Sequence, residues 1–181
     1  MFSSDGTLMM SARWDSSAQL WSAADGQPIG TRRNHQGGAH RVAISNDNTL
    51  LATTQNNNLV RVWQRPSDNI VLHSIEHWGE RPRISPDGNL VTPGILHETT
   101  LMNPSLRAGL QVLFTSTGEP PGPEIRPPGM SLDSCICSGN QSVAIVSFDE
   151  QDGWLSVWHV ASGAATLAPV KLPGRPVSVS A

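Results

Sequence analysis

Basic residues are few in this chain. There are 12, of which 11 are arginine, against 15 acids, for a net charge of −3 over 181 residues. A polyanion-binding surface needs a basic stripe, and this balance points away from nucleic acid as a partner. Cysteine is nearly absent, and the two present, Cys135 and Cys137, lie two apart on one predicted strand. Neighbours on one strand face rarely meet disulfide geometry, which suits a reducing compartment. No apolar run approaches the ~20 residues of a membrane span. No charged-then-apolar leader marks secretion, and no stretch carries helical periodicity. The expectation is a soluble, cytoplasmic, all-β protein with no membrane partner.

What the chain does have is punctuation and repetition. Sixteen glycines and 14 prolines break it into short segments. One line of sequence returns four times: Phe2-Ser-Ser-Asp-Gly-Thr-Leu, Ile44-Ser-Asn-Asp-Asn-Thr-Leu, Ile84-Ser-Pro-Asp-Gly-Asn-Leu, and a fourth copy opening near Ile136. The copies close at Trp21, Trp63, Leu113 and Trp158. A period in the low forties built of short strands means a radial array of β-blades.

The units run over residues 2–43, 44–83, 84–135 and 136–178, with 179–181 starting a further inner strand. Each reads as four strands. An inner strand leads through an Asp/Asn/Gly turn, such as Asn46-Asp47-Asn48, to a second strand. The third strand shows the cleanest alternation: Ala18 with Leu20, Val60 with Val62, Leu110 with Val112, Leu155 with Val157, a period of two expected of half-buried strands. Residues 95–109 stretch the second-to-third connection of the third unit. Residues 119–129 hold five prolines and read as an extended connector, not a central strand.

These residues resemble the WD-repeat β-propeller family over essentially the whole chain, with wording similar to bacterial WD arrays. The matching pieces are Asn34-His35, Ser85-Pro-Asp-Gly88, Asp15 with Trp21, Asn57 with Trp63, and Asp152 with Trp158. The resemblance implies a hydrogen-bonded network of His35, Thr53, Asn57 and Trp63 in the second blade, with Asn57 in place of the family's carboxylate. The third unit departs, with Leu113 at the Trp position and Arg107 at the turn-Asp position. The fold expected is a propeller of four WD-type four-stranded blades. It is either an open part of a larger ring or a small closed ring in which residues 176–181 supply the inner strand that the first blade lacks.

Candidate chemistry is thin. His73 and His77 are four apart without a helix to align them, and His77 sits at a blade-start position. Asp149, Glu150 and Asp152-Gly153 lack the alternating ligands and distal Glu of a calcium loop. Cys135-x-Cys137 has no second ligand pair at zinc spacing. No serine lies in a Gly-x-Ser-x-Gly turn, and no phosphate loop appears. No catalytic residue, cofactor or metal is therefore assigned. In propellers of this family, partners dock on the rim formed by the second-to-third and outer-to-inner loops. The resemblance carries that role to Trp14, Asn56 and Gln151, with Arg41 and Arg81 opening inner strands beside them. An exposed Trp anchors an interface through large, stiff contact area, whereas Trp78 and Trp154 are expected to pack between blades.

The expected function is a non-catalytic scaffold for protein or peptide partners, part of a larger signalling protein of the kind in which such arrays sit beside kinase domains, with self-association through open blade edges. Two rivals stand beside it. One is a ligand-binding or enzymatic propeller using the central channel, which expects carboxylates or histidines at the starts of several inner strands, a pattern that only His40, Glu80 and Asp133 come near. The other is a remnant fragment with no independent function.

Overall fold

The computed structural model describes residues 1–35, 37–55, 59–65, 71–76, 81–93, 109–137, 139–149, 152–174 and 179. Among these residues every element is a strand. The first sheet holds β1 (Leu8–Arg13), β2 (Ser17–Ser22) and β3 (Pro28–Asn34). The second holds β4 (Ala39–Ile44), β5 (Leu50–Gln55), β6 (Leu59–Gln64) and β7 (Val71–Glu76). In the third, β8 (Arg83–Ile84), β9 (Leu90–Thr92) and β10 (Leu113–Phe114) are short. The fourth runs β11 (Met130–Ile136), β12 (Ser142–Phe148), β13 (Gly153–His159) and β14 (Val170–Leu172). Each sheet is an antiparallel meander in chain order. The register repeats: Met9 pairs Trp21, Leu51 pairs Trp63, Val91 pairs Leu113 and Val143 pairs Trp158.

The turn after each inner strand explains the recurring Ser-x-Asp. In three blades the Ser hydroxyl donates to the Asp carboxylate, at 2.6 Å for Ser3–Asp5, 2.6 Å for Ser45–Asp47 and 2.7 Å for Ser85–Asp87. The same carboxylate takes a backbone N–H two residues on, from Thr7, Thr49 or Asn89. The Ser oxygen accepts the N–H that opens the second strand, from Leu8, Leu50 or Leu90. Local side-chain bonds of this kind replace ladder bonds where the chain reverses. The next residue sits at positive φ in every blade, as Gly6, Asn48, Gly88 and Asn140, the residue types that tolerate it.

Apolar side chains of each sheet meet those of the sheet next to it, so the core lies between blades. Leu8, Met10, Ala18 and Leu20 of the first sheet pack on Ile44, Leu51 and Trp63 of the second. Ala43, Ala52, Val60 and Val62 of the second pack on Val91 and Leu113 of the third. Leu90, Leu110, Val112 and Ile125 of the third pack on Ile136, Val143 and Ile145 of the fourth. Leu113, at the departed Trp position, is thus a core residue, 5% exposed.

The Pro-rich connector contributes pairing after all. Ile125 exchanges backbone bonds of 2.7 and 2.9 Å with Leu110 and is buried, standing where an outer strand would. An edge position is the place where a proline-rich segment can still pair. In the first blade the inner strand shrinks to a bridge between Phe2 and Met9. The pairing of residues 176–181 with β1, like the 95–108 part of the insertion, falls outside the described residues.

Burial differs between equivalent positions in two places. Of the three closing tryptophans, Trp63 is 3% exposed, whereas Trp21 and Trp158 are only half-buried. Leu155 and Val157 are half-buried too, although their counterparts Val60 and Val62 are fully buried. Trp21 lies on the outward face of the first blade and Leu155 with Val157 on the outward face of the last. No described sheet packs on either face.

Candidate functional site

The second blade builds its framework around Trp63. The indole Nε1–H donates to Thr53 Oγ1 at 2.9 Å across β5 and β6. His35 stands edge-on to the indole, ring centroids 5.4 Å apart and planes at 84°. Burial first, and the Arg61 guanidinium second, lower the His35 pKa to about 4, so the ring is neutral at physiological pH. Asn57, the fourth expected member, lies outside the described residues.

The other blades vary this plan in ways their side chains dictate. Trp21 Nε1 donates to Ser11 Oγ at 2.9 Å, the same geometry as Trp63 with Thr53. In the fourth blade that acceptor position is Ile145, opposite Ser156. The apolar side chain offers no oxygen, and Trp158 Nε1 turns to Ser156 Oγ on its own strand, at 2.8 Å. Asp15 accepts from Ser17 Oγ and lies within 3.9 Å of Arg13 and Arg32. The Ser17 bond and those cations hold its carboxyl below the usual range, against burial. Asp152 takes a different part: its carboxylate pairs with Lys171 at 2.7 Å, and its backbone N–H donates to Asp149. Asp149, not Asp152, is the carboxylate that ties this turn.

The rim is formed where β1 meets β2 and where the inner strands begin. Trp14 occupies the three-residue hairpin between Arg13 and Ser17, with Ser16 at φ 67°. At 79% it is the most exposed of the large apolar side chains described. Its ring meets His40 of the next blade edge-on at 4.8 Å. Arg41 follows His40 and is exposed, as is Arg81. With Val42, Pro82 and Arg83 they line a shallow groove of about 330 Å³ between the second and third inner strands. Arg83 reaches the fourth blade, donating to both oxygens of buried Asp133 at 3.0 and 3.2 Å. Trp14, His40, Arg41, Arg83 and Asp133 therefore form a track across all four blades. Asn56 and Gln151 are outside the described residues.

The sequence reading missed the Arg83–Asp133 pair. Its signal was a charged residue at the repeat position occupied by Ala43 and Cys135 in the neighbouring inner strands. The two channel candidates that are described, His40 and Asp133, are each engaged, by Trp14 and by Arg83. Cys135 and Cys137 are unbonded thiols. Burial pushes the Cys135 thiol pKa up. Among the described residues no three His, Cys, Asp or Glu side chains are grouped to hold a metal, and no helix is long and apolar enough to cross a membrane.

Comparison with known proteins follows the same lines. The sequence profile of the WD domain, G-beta repeat matches residues 26–64. Eukaryotic translation initiation factor 3 subunit I of Coccidioides immitis is 35% identical over 89 residues, 49% of this chain and 26% of its own length. The same subunit of Aspergillus oryzae is 33% identical over 89 residues, 49% of this chain and 27% of that protein. A bromodomain and WD repeat-containing protein of Dictyostelium discoideum is 36% identical over 67 residues, 37% of this chain and 3% of its own. The chain thus spans about a quarter of the initiation-factor subunits it matches. Among solved structures, a chain of Kuenenia stuttgartiensis hydrazine synthase superposes with a TM-score of 0.71 at 15% identity, over 94% of this chain and 47% of that one. The computationally designed protein Ika8 does so with a TM-score of 0.69 at 13% identity, over 96% and 49%. At those identities the likeness speaks for fold alone. The WD domain, G-beta repeat profile matches one repeat that ends in the second blade, and three further blades of the same register stand around it, so the chain is built on the WD-repeat plan.

Proposed function

We propose that this chain is a non-catalytic protein-interaction scaffold that presents the rim around Trp14 to a protein or peptide partner in the cytoplasm. The observation that carries the reading is the exposure of Trp14 together with its edge contact to His40, which holds a large apolar side chain at the surface. Arg41, next to His40 in the chain, and Arg81 line the adjoining groove and supply polar contacts toward the edge of such a patch. The matched initiation-factor relatives are named as subunits, which fits a chain that works inside an assembly. The channel reading is less well supported, because Asp133 is neutralised by Arg83. The remnant reading fares no better, since the irregular third blade packs through Leu113. A kinase-linked signalling setting rests on the wording of the repeats alone.

The test compares the whole chain with its Trp14→Ala variant, both immobilised, in quantitative capture from a cytoplasmic extract. Proteins held by the parent and lost by the variant, with unchanged far-UV circular dichroism, support the rim. The same set held equally by both rejects it.

A further inference from the structure

We infer that the partner of the Trp14 rim docks through an acidic peptide segment, whose carboxylates pair with Arg41 and Arg81 in the groove between the second and third inner strands. This rests on the rim reading and adds the partner's charge to it. Ile44, Ile84 and Ile136 stand opposite Leu51, Val91 and Val143 on the second strands, so they are equivalent positions of successive blades. Three residues before them stand Arg41, Arg81 and Asp133. One position of the period thus carries two guanidiniums and one carboxylate at the heads of neighbouring inner strands. The carboxylate is already taken. Arg83 donates to both Asp133 oxygens, at 3.0 and 3.2 Å, and Asp133 is 1% exposed. Arg41 and Arg81 are exposed, and neither forms an ion pair among the described residues.

The local backbone sets these side chains on the rim. β4 carries a bulge between Ala39 and Arg41, and β11 carries one between Ser131 and Asp133, at the same place in the period. A bulge adds one residue and re-aims the side chains around it, so His40 lies edge-on to Trp14 while Arg41 lines the groove. Arg81 precedes buried Pro82, whose ring restricts it to extended backbone. Two like charges lining one groove repel each other, and a carboxylate between them relieves that repulsion. The planar guanidinium fork also matches a carboxylate through two parallel hydrogen bonds. The number of cations favours a peptide over a polynucleotide. Two guanidiniums balance two acidic side chains, whereas a phosphate backbone calls for a longer basic stripe, and the chain as a whole carries −3. A protein of net negative charge with arginines at one rim draws acidic segments there and turns them away elsewhere. Trp14, against His40 at the head of β4, takes an apolar side chain of the same segment.

The experiment follows the fluorescence anisotropy of two short labelled peptides titrated with the whole chain. One holds glutamates around a central leucine, and the other has glutamine in place of every glutamate. The glutamate peptide should bind and the glutamine peptide should not, and added salt should weaken the binding. Arg41→Gln and Arg81→Gln should each weaken it about fivefold, as expected for one exposed ion pair, and the double variant by about the product. Arg126→Gln removes the same charge outside the groove and should leave binding unchanged. The inference is overturned if the glutamate peptide does not bind, or binds no better than the glutamine peptide. It is overturned equally if Arg41→Gln and Arg81→Gln, with the parent's circular dichroism, bind the peptide as the parent does. A polyuridine strand held as tightly as the glutamate peptide overturns it in favour of nucleic acid. Capture from extract judges the rim reading separately. Capture that depends on Trp14 without any binding of the glutamate peptide keeps the rim and removes its acidic partner. Peptide binding that depends on both arginines, with capture indifferent to Trp14→Ala, keeps the groove and rejects the rim.

Discussion

Replacing Trp63 by Ala removes the one closing indole that is covered on every side, at 3% exposure between the first and second blades. Deleting a buried Trp leaves a cavity among Leu8, Met10, Leu20 and Leu51 that stiff strands cannot fill, at a cost of ~3–5 kcal/mol. Within that figure the indole N–H bond to Thr53 contributes about 1 kcal/mol. Trp63→Phe keeps most of the volume and loses this bond, so it should cost ~1–2 kcal/mol. Thr53→Val in the Trp63→Phe background should then add little, and the cycle should return a coupling near ~1 kcal/mol. Urea unfolding followed by circular dichroism reads these losses. With a slope of ~2 kcal/mol/M, Trp63→Ala lowers the midpoint by about 2 M at unchanged slope. Trp158, half-buried and bonded within its own strand, should lose less on the same substitution. A loss at Trp63 below ~1 kcal/mol, or a larger loss at Trp158 than at Trp63, would refute the placement of the core between blades.

Arg83→Ala leaves the buried Asp133 carboxylate without its cation and should destabilise by ~2–3 kcal/mol, discounted for the exposed end of the arginine; restoring stability with Asp133→Asn in the same chain checks the cause. His35 is held neutral with its pKa lowered from 6.5 to about 4, so the unfolded chain binds its proton first. The stability His35 provides is present above pH 6.5 and is lost as the pH falls from there toward 4, and unfolding of His35→Gln should show a flatter slope over that interval. Asn140→Gly keeps the left-handed backbone and removes the 2.6 Å bond to Asp87. Burial works to raise the Asp87 pKa, and bonds from Ser85, Asn140 and Asn89 outweigh it to hold it at about 2 against 3.8. The variant's Asp87 should titrate higher by NMR, and its contribution to stability, present above pH 3.8, should vanish earlier on acidification.

The blades were legible because a residue's role in a repeat depends on its place in the period. Asp5, Asp47 and Asp87 recur since each answers the same turn, and the alternation of Val60 with Val62 survives because both face one neighbour. What the sequence could not show was which faces have a neighbour. Leu155 and Val157 spell the same strand as Val60 and Val62, yet their burial depends on a blade beyond them. Nor could it show substitutions that work through space. Ile145 deprives Trp158 of an acceptor only because β12 and β13 are paired in that register. Arg83 and Asp133 are fifty residues apart and meet because successive inner strands are neighbours. The rim was legible in part: Trp14 stood out as an aromatic at a turn, but its contact with His40 required the next blade to be in place.

The two ends of the blades divide the work of stability and recognition. On one end, the turns after the inner strands bind their own carboxylates, and Asn48 and Asn140 stitch neighbouring turns to Asp5 and Asp87. Gly88 stands where that amide would be in the third blade, with Leu50 Cδ1 3.4 Å from where a Cβ there would lie, and the second and third blades join through apolar packing instead. That end is closed by local polar bonds, each worth little alone because it is exposed, and together they set the spacing of the blades. On the other end the hairpin of Trp14 and the starts of β4 and β8 carry side chains whose positions follow from that spacing. The contact between Trp14 and His40 joins two blades whose separation is fixed at the far turns and in the core around Trp63. A weakened turn should therefore lower stability in proportion and leave partner capture intact until the blades separate, whereas a change at Trp14 should abolish capture without a stability cost.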